Sequence, residues 1–112
     1  MPVKKRAKKA LQSKEQLKAE VARWTAILKV KPKQIRVQWM KQKWASCSSH
    51  GRVSFNIKLL QESGAFQKYV IVHELLHLQV PNHGKLFKSL MSAYLPRWEK
   101  VAMTKETNTL EV

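Results

Sequence analysis

The chain has 112 residues, of which 22 are Lys or Arg and 7 Asp or Glu, for a formal charge of +15 at pH 7. That length supports one small domain with a marginal apolar core, so a bound metal could supply part of the folding energy. One cysteine excludes an intrachain disulfide and no apolar run is long enough to span a bilayer; a cytoplasmic protein with acidic partners is expected.

Residues 1–13 are basic and lack apolar periodicity, the pattern of a flexible tail and a candidate for nonspecific contact with DNA or RNA. Ser13 is a fair helix cap, and Leu17, Val21, Trp24 and Leu28 then recur at helical spacing, with Pro32 as the stop. "QIRVQWM" alternates Ile35, Val37 and Trp39 with polar residues, as a strand does. "KQKWASCSSHG" breaks the alternation and reads as a loop, in which His50 is an exposed turn residue. "RVSFNIKLL" resumes it through Val53, Phe55 and Ile57, so the two strands are expected to pair antiparallel across that loop.

"GAFQKYVIVHELLHLQV" is apolar on nearly every side, the mark of a helix inside the domain, with Pro81 ending it. "NHGKLFKSLMSAYL" predicts another helix, capped by Asn82, with Leu86, Phe87, Leu90, Met91 and Tyr94 inward and Pro96 as its stop. The expected organisation is a tail over 1–13, a domain over 14–100 and a polar tail over 101–112.

The buried helix carries the chemistry. His73 and His77 are four apart, so their rings leave one helix face one turn apart, as two ligands of a single zinc ion would. Glu74 stands about one hundred degrees round the helix, placed to take a proton from an attacking water rather than to ligate. This is the H-E-x-x-H arrangement. His83 follows a Pro81-Asn82 bend that can return it to the same point, and three neutral ligands leave a fourth position open, as a catalytic site requires. Paired histidines and a carboxylate on so apolar a helix would be costly without a metal. A structural zinc would be closed by four ligands and rich in cysteine, and Cys47 is the single thiol.

"WASCSSHGRVSFNIKLL", "YVIVHELLHL", "PNHGKLF" and "YLPRW", in that order over residues 35 to 98, resemble the YgjP-like and SprT-like zinc metallopeptidases. The resemblance implies one zinc ion per chain on His73, His77 and His83, with Glu74 as catalytic base. It implies an α+β, minimal zincin-like domain: an N-terminal helix, a small sheet containing antiparallel strands, the active-site helix and a C-terminal helix. That core is similar to the minigluzincins, whose third ligand is a glutamate, which makes Glu99 the competitor of His83. Ala45 stands where the family usually has glycine, and one helix with a basic tail replaces the β-rich N-terminal region of longer members. In zincins an edge strand pairs with the extended substrate; "RVSFN" is the candidate, with Phe55 and Asn56 beside the cleft. Tyr94 is the candidate oxyanion stabiliser.

The expected function is a zinc-dependent endopeptidase acting on protein or peptide, near nucleic acid if the basic surface brings it there. One rival is a metal-dependent endoribonuclease of the YbeY type, which shares the histidine spacing but has glycine where this chain has Glu74. A basic nucleic-acid-binding module with a structural zinc is the other.

Overall fold

The computed structural model describes residues 10–103, so most of both expected tails lies outside the described residues. In chain order the elements are α1 (Lys14–Leu28), β1 (Gln34–Gln38), β2 (Ala45–Cys47), β3 (Arg52–Asn56), a 3-10 turn (Ile57–Gln61), α2 (Gly64–Leu76), α3 (Lys85–Tyr94) and α4 (Trp98–Met103). This is the expected α+β, zincin-like arrangement, with a mixed three-stranded sheet of order β1-β3-β2.

Helix α1 forms as its sequence dictates. The Ser13 side chain accepts a hydrogen bond from the Gln16 N–H, and Leu17, Val21, Trp24 and Leu28 are its buried residues. It stops before Pro32: Lys29 takes a left-handed conformation, φ 59°, and the Val30 N–H closes on the Thr25 carbonyl. The inner end of the expected tail is held in place. The Gln67 side chain of α2 accepts from the Leu11 N–H at 2.8 Å and donates to the carbonyls of Leu11 and Leu59.

The sheet differs from expectation in two ways. Strands β1 and β3 pair parallel, Gln34 opposite Arg52 through Gln38 opposite Asn56. The antiparallel hairpin is formed instead by β2 and β3, Ala45 opposite Phe55 and Cys47 opposite Val53, inside the stretch that reads as a loop. Three residues are too few for an alternation to register, which hides β2 in the sequence. Gly51 turns the hairpin at φ 83°, and the Lys33 N–H donates to its carbonyl. Strand β3 is therefore central and bonded on both sides, so it cannot be the edge that takes a substrate. Trp39, expected inward, is 62% exposed beyond the end of β1.

Helix α2 runs through the middle of the domain, against α1, α3, α4, β2 and β3. Phe66, Tyr69, Val70, Ile71, Val72, Leu75 and Leu76 surround its histidine and glutamate, and every residue from Phe66 through Leu76 is buried except Lys68. In α3, Phe87 and Met91 face inward and Leu86 is exposed. Its N-cap is Gly84, not Asn82, whose side-chain oxygen accepts from the Gly84 N–H in a tight turn ahead of the helix. Helix α4 carries the chain on to Met103, past the expected start of the polar tail.

Phe55 and Asn56 are fully buried. Asn56 donates to the carbonyls of Met40 and Lys43 and accepts from the Lys58 N–H, clasping the segment before β2 to the end of β3. These two residues are thus structural, not substrate contacts. Asn56→Ala strands those partners and should lower the unfolding free energy by about 2–4 kcal/mol. Urea denaturation checks it; an unchanged midpoint with a raised KM would restore a substrate role.

Candidate active site

The last turn of α2 and the segment after it build the site. His73 lies in that last turn and His77 is the C-cap residue, at φ −64°. The helix ends at Leu76, earlier than Pro81, because the chain tightens there: the N–H groups of Gln79 and Val80 both donate to the Leu76 carbonyl. The Gln79 side chain donates to the Leu28 carbonyl, which ties this turn to the end of α1. Beyond Pro81 and the Asn82 turn, the chain brings His83 back over α2.

The three imidazoles meet. Each offers one ring nitrogen, and these nitrogens all lie within 4.8 Å of one another. Ring centroids are 4.9 Å apart for His73 and His77, 5.0 Å for His73 and His83, and 4.7 Å for His77 and His83. His77 Nδ1 lies 3.1 Å from the Val80 carbonyl oxygen, which makes that nitrogen the protonated donor and leaves Nε2 with a free lone pair. His83 Nε2 faces it at 2.9 Å. Burial, then the neighbouring His73 and His77, hold the His83 imidazole below its usual pKa, which favours the neutral ring a metal requires.

Two buried polar atoms at the site have no hydrogen-bond partner among the described residues: His73 Nδ1 and Glu74 Oε2, 3.6 Å apart. Glu74 is 4% exposed yet lines the cleft. Three nitrogen donors, one open direction and an unsatisfied carboxylate alongside suit a borderline-soft divalent ion such as zinc. The carbonyl end of α2 also points its partial negative charge toward that position. The residues present fit the metal.

The cleft has a volume of about 1030 Å³ and runs between the α1–β1 connection, strand β2 with its hairpin turn, and the segment from Glu74 to His83. Cys47 lines it; burial and then the Glu74 charge push its thiol pKa up, which keeps it protonated and a poor nucleophile. Tyr94 does not line the cleft. Its ring packs edge-on against Trp24 of α1 at 6.3 Å, so it is a packing residue rather than an oxyanion stabiliser. Glu99 is exposed on α4 and outside the triad. His50 lies at the exposed hairpin turn on the rim.

Phe87 does more than fill the core. Its ring sits 5.2, 4.9 and 4.9 Å from His73, His77 and His83, stacked nearly parallel on His77. It forms an apolar floor that limits how the three rings can turn. Its place four residues after His83, in the first turn of α3, is the sequence signal for it. Tyr69 flanks the other side, 5.6 Å from His73 and stacked on Trp98.

No sequence among the curated proteins matches the chain. Among the solved structures that share its fold are two archaeal proteins. The metallopeptidase zymogen of Pyrococcus abyssi abylysin matches with a TM-score of 0.70 at 20% identity, covering 84% of this chain and 98% of that one. The metallopeptidase zymogen of Methanocaldococcus jannaschii jannalysin matches with a TM-score of 0.70 at 24% identity, covering 79% of this chain and 91% of that one. The model of the YgjP-like metallopeptidase domain matches residues 3–104, nearly the whole chain, and with the histidine triad and cleft in place the protein belongs to the YgjP-like metallopeptidases.

Proposed function

We propose that the protein is a zinc-dependent endopeptidase in which His73, His77 and His83 hold one ion and Glu74 is the general base. The observation that carries the reading is the convergence of three ring nitrogens within 4.8 Å beside a buried carboxylate oxygen without a partner. When bound, zinc lowers the pKa of a coordinated water towards ~7 and polarises a carbonyl.

The chain's own residues supply the rest. Glu74 Oε2 accepts the proton of the attacking water and can hand it to the departing amine, because no hydrogen bond within the protein engages that oxygen. The Val80 carbonyl keeps the His77 proton on Nδ1. Phe87 holds the rings against rotation. With β3 central, the free edge of β2 is left to pair with an extended substrate, and Ala45, Ser46 and Cys47 all line the cleft. Its main-chain groups would set the peptide across the triad without reading its sequence.

A ribonuclease on the same histidine spacing does not account for a buried, unpartnered Glu74, and the family is one of peptidases. Among the described residues no helix is long and apolar enough to cross a membrane.

Glu74→Gln keeps shape and ligands, so zinc content should be unchanged while peptide hydrolysis falls by about 10²–10⁴. Hydrolysis at the wild-type rate would refute the mechanism. His83→Ala should lose most of the zinc and lower the melting temperature, whereas Glu99→Ala should keep both; elemental analysis and thermal denaturation decide between them. If the basic N-terminal residues contact phosphates, deleting residues 1–10 should flatten the salt dependence of nucleic-acid binding and leave zinc content unchanged. An identical slope in the shortened chain would remove that role.

A further inference from the structure

The cleft has a second wall of a different character. Lys29, Lys31 and Lys33 alternate along the connection from α1 to β1 and all line the cleft, and Lys43 joins them from just before β2. The connection is anchored on both sides: Val30 is buried in the core, and the Lys33 N–H donates to the Gly51 carbonyl at 2.8 Å. A side chain at Gly51 would press on Lys33, its Cβ only 3.3 Å from Lys33 Cγ, so the hairpin turn leaves room for that lysine stem. None of the four lysines has an acidic partner among the described residues. Glu74 is the one acid lining the cleft.

Unpaired ammonium groups along one wall repel each other and raise the local concentration of anions. The spacing limits which anion. Lys31 and Lys33, two apart beyond the end of α1, can meet alternate side chains of an extended substrate lying along β2, which recur roughly every 7 Å. A single-stranded nucleic acid would want aromatic platforms and forked guanidinium donors, and no Phe, Tyr, Trp or Arg lines the cleft.

We propose that Lys29, Lys31, Lys33 and Lys43 form a specificity wall that selects acidic polypeptide segments, with Glu or Asp side chains of the substrate directed at the lysines while its backbone lies on β2. This rests on the peptidase reading above and adds a substrate class to it. The charge pairs are exposed to solvent, so each contributes a factor of about 1.5–5 in affinity and together about tenfold.

The test uses the full chain carrying Glu74→Gln, so that peptides bind without being cut. Three labelled peptides share one sequence but place Glu, Gln or Lys at alternate positions, and fluorescence anisotropy gives Kd at about 0.05 M and 0.5 M salt. The Glu peptide should bind about tenfold tighter than the Gln peptide at low salt, the Lys peptide weakest, and the differences should collapse at high salt. Adding Lys31→Glu and Lys33→Glu should abolish the preference, because Lys29 and Lys43 are then balanced. If that pair fails to fold, Lys31→Gln with Lys33→Gln should cut the preference to about threefold instead.

Equal affinity for the Glu and Gln peptides would overturn the proposal. So would a preference that the lysine substitutions leave undiminished, because it would then come from charge elsewhere on the chain. An oligodeoxynucleotide that displaces the Glu peptide, and loses more affinity than it on those substitutions, would assign the wall to nucleic acid and overturn it too. Cleavage by the wild type separates the two readings. Glu74-dependent hydrolysis with no preference among the three peptides sinks the specificity alone; a lysine-dependent binding preference without hydrolysis of any peptide sinks the peptidase and leaves the wall.

Discussion

Helix α2 buries a carboxylate and an imidazole whose facing atoms, Glu74 Oε2 and His73 Nδ1, have no protein partner. Buried polar atoms left without partners are among the costliest features a small core can carry. The rest of the fold is arranged so that the cost is met at one point rather than spread through the interior. The helix ends where His77 can turn its Nδ1 to the Val80 carbonyl, the Asn82 turn returns His83, and Phe87 closes the site from below. A cation at that point would take one lone pair from each imidazole and set a positive charge beside Glu74.

The same constraint explains why so much of the chain serves one helix. Helix α1 holds the turn after α2 through the Leu28 carbonyl, and Gln67 anchors the residues before α1 back onto α2. The clasp made by Asn56 fixes the segment that leads into β2, and β2 forms the opposite wall of the cleft. Stability and site geometry are therefore carried by the same hydrogen bonds. Loosening either end of α2 would misplace ligands before it unfolded the domain.

The helices were legible in the sequence because their periods are long. Leu17, Val21, Trp24 and Leu28 repeat over about three turns, and the apolar run of α2 is long enough to mark a buried helix. The meeting of His73, His77 and His83 was legible because two of them share a helix face and a proline bend precedes the third. The sheet was not. Strand β2 has three residues, and the parallel pairing of β1 with β3 depends on a long-range register that alternation cannot encode. With β3 central, Phe55 and Asn56 are buried inside the domain, not on an edge beside the cleft. A helical face shows that Tyr94 points inward, not that the neighbour it meets is Trp24. The lysine wall was hidden in a net charge, since composition does not say which charges share a cleft.

The central claim is that three imidazoles, and no sulfur, hold the ion. X-ray absorption at the zinc edge of the intact chain tests it directly. The structure predicts a first shell of nitrogen and oxygen at about 2.0–2.1 Å, fitted with three imidazoles and one further light atom. A scatterer at about 2.3 Å would place the Cys47 sulfur on the metal. That result, or a shell with only two imidazoles, would contradict the account.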